Sequence, residues 1–407
     1  MIRFALNPSQ ESVVQDAVNF VKYSSEQVFQ IAGLPGTGKS VVLNEIQCRL
    51  IDEGIIMPSE VLAMAYTGQA AIVMRTKGFP EARTIHSSLY TPETDVKVDK
   101  STNLPVMNTK YNVPVTNVKF SSVPRIPGKS IMFIDEGRMV PLSMKKDIEK
   151  YGMKIIVAGD PGQLGPIADD PAYLVDGKIH YLTQLMRQAE NSGIVYIANR
   201  CTRGLPIHKG FYGNCLVIDR DELNDEMIMA ANIIICGKNK TREEMNNRVR
   251  KDILHITSDI PTVGDRVICR KNNWKEEICG ISLANGLNGT CVSMPNLAAF
   301  DGNVFTMDFL PDLLNVPFMN LTCDYKYYIA PYELKQEIKN DKYSMGNKFD
   351  LAYALTTHLA QGSEYSNGIY MEERLGDGSM SNNLNNTVIT RFRKAAIYVK
   401  EKIKRYW

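Results

Sequence analysis

The sequence predicts an α/β fold of two αβ domains, each interrupted by a smaller β insertion. Three observations carry that prediction. Short apolar runs alternate with helical periods through the first half of the chain. A glycine-rich turn ending in Gly-Lys-Ser stands between one such run and a helix. Two stretches, about 91–125 and about 271–348, lose the helical period and turn β-like. Runs that are apolar on both faces suit strands buried in a parallel sheet, whose chemistry collects at the strands' carboxyl ends.

Bulk properties agree. A chain of 407 residues exceeds one ordinary core and suits two or three domains. Its 44% hydrophobic content is that of a globular protein, neither disordered nor membrane-embedded. MIRFALNPSQ has no basic segment leading into an apolar run, and no stretch approaches bilayer-spanning length, so a cytoplasmic protein is expected. With 47 basic against 45 acidic residues the net charge is only +2, which permits a local basic groove on a balanced body. Eight scattered cysteines without a CxxC pair indicate neither a zinc nor a disulfide framework and are expected as buried thiols.

Taken in order, the first helix opens with Asn7 as its cap and Pro8 at its first position, and buries Val14, Ala17, Val18 and Val21. The runs Val28–Ala32, Val61–Tyr66, Ile131–Ile134 and Lys154–Ala158 read as parallel strands. A second helix begins at Gly38–Lys39, buries Val42, Leu43, Ile46 and Leu50, and stops near Gly54. Residues 91–125, rich in Thr, Asn, Pro and Val, read as a β-ribbon inserted between two sheet strands. Alternating αβ character returns over 181–270, with Asn232–Cys236 a further strand. In 271–348 the dipeptides Asn285-Gly286, Asn288-Gly289 and Asp301-Gly302 are turn signals. Gly368–Met371 and Ala395–Val399 close the second αβ domain.

Gly33-Leu-Pro-Gly36-Thr37-Gly38-Lys39-Ser40 fits G-x-x-x-x-G-K-[ST] after a strand and before a helix. Its glycines let backbone N–H groups converge on phosphate oxygens, and the helix start adds positive potential. Lys39 would reach the β- and γ-phosphates of ATP, and the Ser40 hydroxyl would bind Mg²⁺. Chance supplies such a pattern in roughly one or two chains per hundred of this length, and the strand–loop–helix setting lowers that further. Ile131-Met-Phe-Ile-Asp135-Glu136 supplies the partner, with Asp135 to hold the hydrated metal and Glu136 to orient and deprotonate water.

Further motifs follow in an order that resembles superfamily-1 helicases, specifically the RecD- and Dda-like 5′-to-3′ branch, from about residue 6 to 400. The resemblance implies two RecA-like P-loop domains, a pin-like ribbon at 91–125 and an SH3-like module at 271–348. Leu6-Asn-Pro-Ser-Gln10 looks like the Q motif, which would set Gln10 on the adenine edge. Gly159-Asp160-Pro-Gly-Gln163 resembles motif III, whose glutamine senses the γ-phosphate. Leu182-Thr-Gln-Leu-Met-Arg187-Gln188 and Val388-Ile-Thr390-Arg391-Phe-Arg393 are similar to motifs IV and VI, implying arginine fingers Arg187 and Arg391. Guanidinium suits that role because its planar fork meets charge spread over phosphoryl oxygens.

Nucleic acid is implied at three segments. Tyr66 and Thr67 fall in a motif Ia-like stretch, and Thr84 and His86 in a motif Ib-like one. Thr356 and His358 fall in a motif V-like stretch that continues to Gly362 and Glu364 at the nucleotide; Asn239, with Asn246 and Arg250 behind it, marks another strand end. Hydroxyls and amides suit phosphate contacts that carry no sequence information. The chain departs from the pattern at Gly137-Arg138, Gly165, Leu359 and Tyr66; the last offers a face for base stacking. Tyr111, Phe120 and Trp274 in the insertions are assigned no site.

The resemblance thus implies an ATP- and Mg²⁺-dependent DNA helicase acting on single-stranded DNA and its junctions with duplex. The expected division is 1–180 and 181–270 plus 349–407 for the RecA-like domains, with 271–348 inserted. A monomer without membrane contact, serving replication or recombination partners, is expected. Its compact form resembles phage members of the branch, which would place it in a host cytoplasm. Two other readings stand beside it: a nucleotide-switched single-strand binding ATPase that does not unwind, and an RNA helicase.

Overall fold

The computed structural model describes residues 5–401 apart from 35, 97, 100–104, 107–115, 164, 167–168, 185–191, 297–302, 341–345 and 374–377. Helix α1 (Pro8–Tyr23) begins with a reciprocal cap: Gln10 N donates to Asn7 Oδ1 at 2.9 Å and Asn7 N to Gln10 Oε1 at 3.0 Å. Its Val14, Ala17 and Val18 are buried.

Among the described residues the first sheet has six strands, all parallel, in the order β3-β2-β6-β7-β1-β8. They are β1 (Val28–Gly33), β2 (Val61–Ala65), β3 (Arg83–Thr84), β6 (Ile131–Asp135), β7 (Lys154–Gly159) and β8 (Ile179–Leu182). Side chains alternate between two cores. Phe29, Ala63, Phe133 and Ile156 pack with α1, α2 (Lys39–Asp52) and α3 (Gly68–Thr76), while Met64, Met132, Ile134 and Val157 pack with α4 (Ile85–Leu89) and the helix Leu142–Glu149. Coverage of both faces is why these runs are apolar throughout. Between β3 and β6, β4 (Tyr90–Val96) and β5 (Thr116–Ser122) form the antiparallel ribbon, from Tyr90↔Ser122 to Val96↔Thr116. Tyr111 lies outside the described residues.

The second sheet, also six-stranded among the described residues, runs β19-β11-β20-β21-β10-β9. It comprises β9 (Gly210–Tyr212), β10 (Cys215–Asp219), β11 (Ile234–Cys236), β19 (Ala354–Thr356), β20 (Tyr365–Met371) and β21 (Phe392–Lys400), parallel except for the edge strand β9. The chain therefore carries two RecA-like α/β lobes.

Between β11 and β19 lies an antiparallel sheet, β17-β16-β15-β12-β18, with a hairpin beside it. Its strands are β12 (Arg266–Cys269), β15 (Asn288–Cys291), β16 (Val304–Pro311), β17 (Phe318–Asp324) and β18 (Phe349–Leu351); the hairpin is β13 (Asn273–Ile278) and β14 (Ile281–Leu283). Pairing of Val267 with Leu351 closes the insertion at its neck, so its sheet extends a little beyond 271–348. Asn285-Gly286 is a turn, with Gly286 at φ +88°. Asn288-Gly289 is not: it lies within β15, where a β-carbon on Gly289 would come 2.1 Å from Leu310 O. Close strand approach, rather than a turn, requires that glycine. Asp301-Gly302 lies outside the described residues.

One apolar core joins α1, α2 and α3 to Val267, Cys269, Ile281, Leu283, Leu287 and Phe305 of the insertion. All eight cysteines are free. Seven are buried as expected, and Cys279 is exposed at the tip of the hairpin. No helix among the described residues is long and apolar enough to cross a membrane.

Candidate nucleotide cleft and nucleic-acid face

Between β1 and α2 the chain bends through Gly36 and Gly38, at φ +82° and +83°, a region glycine enters without steric cost. Gly33 is equally constrained, since a β-carbon there would lie 2.4 Å from Thr37 Oγ1. Thr37 turns its hydroxyl inward to Leu34 O at 2.7 Å. Beneath the loop, Gln10 Nε2 donates to Thr37 O at 2.9 Å while Gln10 Oε1 serves the α1 cap. The amide expected at an adenine edge thus closes the cap and braces the loop, buried at 1% exposure. Lys39 folds back on its own loop, with Nζ donating to Gly33 O at 2.8 Å and Leu34 O at 3.4 Å.

β6 delivers the carboxylates. Glu136 sits at φ +53°, a left-handed conformation that costs of order 1–3 kcal/mol outside glycine and is typical of functional sites. Its N–H donates to Asp135 Oδ1 at 2.9 Å, and Arg391 Nη1 donates to its Oε1 at 3.1 Å. Burial, reinforced by the Glu136 charge, pushes the Asp135 carboxyl up. Burial also pulls on Glu136, but Arg391 and then Lys39 outweigh it and hold that carboxyl below its usual range. Gly137 leaves no room for a side chain, as a β-carbon would meet Val157 Cγ1 at 2.1 Å. Arg138, the departure beside it, fastens the neighbouring loop by donating from Nε to Gln163 O at 2.9 Å. Gln163 is buried on the cleft wall, and fully buried Asp160 leaves Oδ2 without a hydrogen-bond partner.

The second lobe forms the facing wall. A cleft of about 540 Å³ is lined by Gly36, Gly38, Lys39, Ser40, Asp135, Glu136 and Gln163 from one side and Gly362, Glu364 and Arg391 from the other. Arg187 and Gln188 lie outside the described residues. Gly362, at φ +77°, lets the lobes meet: a β-carbon would come 2.7 Å from Thr67 Oγ1 and 2.9 Å from Ala70 Cβ. Glu364 pairs with Arg393 on its own lobe and with Lys77 Nζ of the first at 2.7 Å. Lys77 also donates to Ser40 Oγ at 3.2 Å. Sequence reasoning missed Lys77 and Arg138. The signal available for Lys77 was its place, at the end of a helix that starts at one strand-end motif and stops before the next.

Donor chemistry fits a magnesium nucleotide. Ser40 and Asp135 are hard oxygen donors beside a glycine cradle, and too few to cage a cation alone. That suits an ion which keeps its waters and leans on phosphates.

The residues expected at nucleic acid occupy the carboxyl ends of both sheets. Thr67 and Thr84 cap α3 and α4, accepting from Ala70 N at 3.2 Å and Ser87 N at 3.1 Å. Tyr66 and Tyr90 flank His86 at ring distances of 5.8 Å each, and Trp274 of the insertion approaches it at 6.1 Å. Burial lowers the pKa of both His86 and His358. On the second lobe Thr356 precedes the short helix Thr357–Ala360, and Asn239 Nδ2 donates to Tyr332 Oη at 2.8 Å. Asn246 and Arg250 are internal. Asn246 brackets Ala354 from both its amide atoms, and Arg250 pairs with Asp265 at 3.0 Å.

Residues 5–208 match the AAA domain family. No curated protein matches the chain. Among solved structures it is similar to a Bacteroides Pif1 bound to single-stranded DNA, at TM-score 0.55 and 16% identity over 99% of this chain and 94% of that one. A Bacteroides Pif1 helicase in complex with ADP-AlF3 and single-stranded DNA matches at 0.53 and 16%, over 97% and 92%. The Pif1 helicase of Candida albicans matches at 0.53 and 14%, over 98% and 95%. At these identities the likeness is one of fold.

Proposed function

The chain belongs to the AAA domain family, and from that premise we propose that it is an ATP-driven DNA helicase of superfamily 1 that travels along single-stranded DNA. The observation that carries this reading is the bond from Arg391 on one lobe to Glu136 on the other, inside the cleft floored by the glycine loop. Lys39 exchanges the Gly33 and Leu34 carbonyls for phosphate oxygens, and Glu136 orients and deprotonates the attacking water. Arg391 then meets charge developing on the transferred phosphoryl group, and Gln163 reports its presence to the strand-end face. Magnesium, held by Ser40 and Asp135, would supply charge neutralisation at the phosphates.

Because the proposed strand contacts divide between lobes, Tyr66, Thr67, Thr84 and His86 on one and Asn239, Thr356 and His358 on the other, closing and reopening the cleft moves one set past the other. On this reading 1–180 is the first motor domain, with the ribbon at its duplex junction. Residues 181–270 and 349–407 form the second, and 271–348 the inserted module. The motif order supports the 5′-to-3′ RecD- and Dda-like branch, with Arg187 as second finger.

The test is ATP hydrolysis by the purified protein alone and with oligo-dT, oligo-U or duplex, beside Lys39→Ala. Strong stimulation by oligo-dT, lost in the variant, is expected. Hydrolysis indifferent to every strand would remove the helicase assignment, and preference for oligo-U would redirect it to RNA.

A further inference from the structure

Lys77 has no part in the reading above, yet it stands at the centre of the cleft. It directly follows α3, and Gly78, at φ +107°, turns the chain so closely against α2 that a β-carbon would strike Asn44 Oδ1 at 2.0 Å. That close approach aims the Lys77 ammonium at two oxygens on opposite lobes, Ser40 Oγ at 3.2 Å and Glu364 Oε1 at 2.7 Å. Burial, with the Arg393 and Arg391 charges, lowers the Lys77 pKa, while Asp135 and Glu136 pull the other way and favour its charged form. Ser40 is the hydroxyl assigned above to a divalent cation. An ammonium donating to Ser40 Oγ and a metal ion ligated by it compete for the same lone pairs, and their like charges repel.

We propose that Lys77 is a positioning residue that stands in for the divalent cation, bridging Ser40 to Glu364 until metal enters and then yielding Ser40 while keeping Glu364. This rests on the cleft being a magnesium-nucleotide site. Two consequences follow from charge alone. Without metal, Lys77 offsets part of the negative charge of bound phosphates; with metal, it must be displaced. Lys77 therefore narrows the difference between metal-free and metal-loaded nucleotide binding, an effect that a merely structural lysine would not have.

The experiment measures equilibrium binding of ADP carrying a fluorescent ribose label to the full chain, in EDTA and in excess Mg²⁺, for wild type, Lys77→Met and Lys77→Arg. The ratio of the two dissociation constants should widen about tenfold in Lys77→Met, the size of one charge-assisted hydrogen bond lost from the metal-free complex. Lys77→Arg should keep most of the wild-type ratio. If Lys77→Met does not fold, Lys77→Gln, which keeps a polar side chain without the charge, should widen the ratio the same way. Equal weakening in both buffers would overturn the proposal and leave the nucleotide site standing. A wild-type protein that binds the probe in neither buffer would overturn both.

Discussion

Arg391 is 4% exposed and spends its guanidinium on Glu136, Ser363 O and Thr387 O. Replacing it with alanine should lower the DNA-stimulated turnover by about 10³–10⁵ while changing nucleotide affinity far less. A second readout follows from the carboxylate left behind. Glu136 is depressed in the wild type, so its ionised form persists as pH falls through the ordinary carboxylate range. Without Arg391 only Lys39 and Lys77 oppose the burial, so the carboxyl rises and the acid limb of the pH–rate profile should move to higher pH. An unmoved limb would mean another group sets it. Tyr66→Ala tests the stacking face: single-strand affinity should drop by about 1–3 kcal/mol if a base rests there. Much of this scale was legible, because Lys39, Ser40, Asp135, Glu136 and Arg391 sit in spaced motifs. Gln10 shows the limit. Asn7-x-x-Gln10 is also the spacing of a capping box, and the sequence did not show that one amide closes the cap and braces the glycine loop together. For Lys77 the sequence offered only its place at the end of α3; its pairing with Ser40 and Glu364 depends on where that helix ends in space.

At the scale of elements, the insertion is pinned to the second lobe by a buried ion network. Asp350, beside β12, takes Lys335 at 2.7 Å, Arg242 at 3.1 Å and Arg270 at 3.2 Å. Burial alone would raise this carboxyl, but Lys335 and the two arginines hold it at about 2. The folded value lies below the unfolded one of about 3.9, so the group adds stability above that pH and loses it as pH falls towards 2, on the order of 2–3 kcal/mol in all. Asp350→Asn also strands three buried cations and should cost about 3–5 kcal/mol at neutral pH. The gap to wild type in urea unfolding should shrink as pH approaches 2; a constant gap would contradict the linkage. Gly362→Ala combines a left-handed penalty of about 1–2 kcal/mol with a clash on Thr67, so DNA-stimulated hydrolysis should fall while far-UV dichroism stays unchanged. Strands were legible where runs were apolar on both faces. Asn288-Gly289 misled because the same dipeptide that favours a turn also answers a carbonyl pressed against a strand.

Over the whole molecule, net charge of +2 hides a proposed strand path that crosses both sheets' carboxyl ends. Single-strand affinity should fall with salt on a log–log slope of about −0.7 per phosphate contacted, and fluorescence titration across salt concentrations would give that number. A flat line would remove the phosphate path. Two αβ lobes were readable from alternation, but the merger of the insertion with the first lobe's core was not. It depends on Gly68 offering its bare backbone to Ala284, and on Arg75 donating to Cys279 O at 2.6 Å, contacts between distant parts of the chain.

That merger sets the kinematics. The insertion is covalently rooted in the second lobe through β12 and β18, yet shares its apolar core with the first. The second lobe is therefore joined to the first through a module whose apolar core the first lobe shares. On the proposed function, a joint packed into both lobes is the part that passes movement at the mouth of the cleft on to the strand-end face.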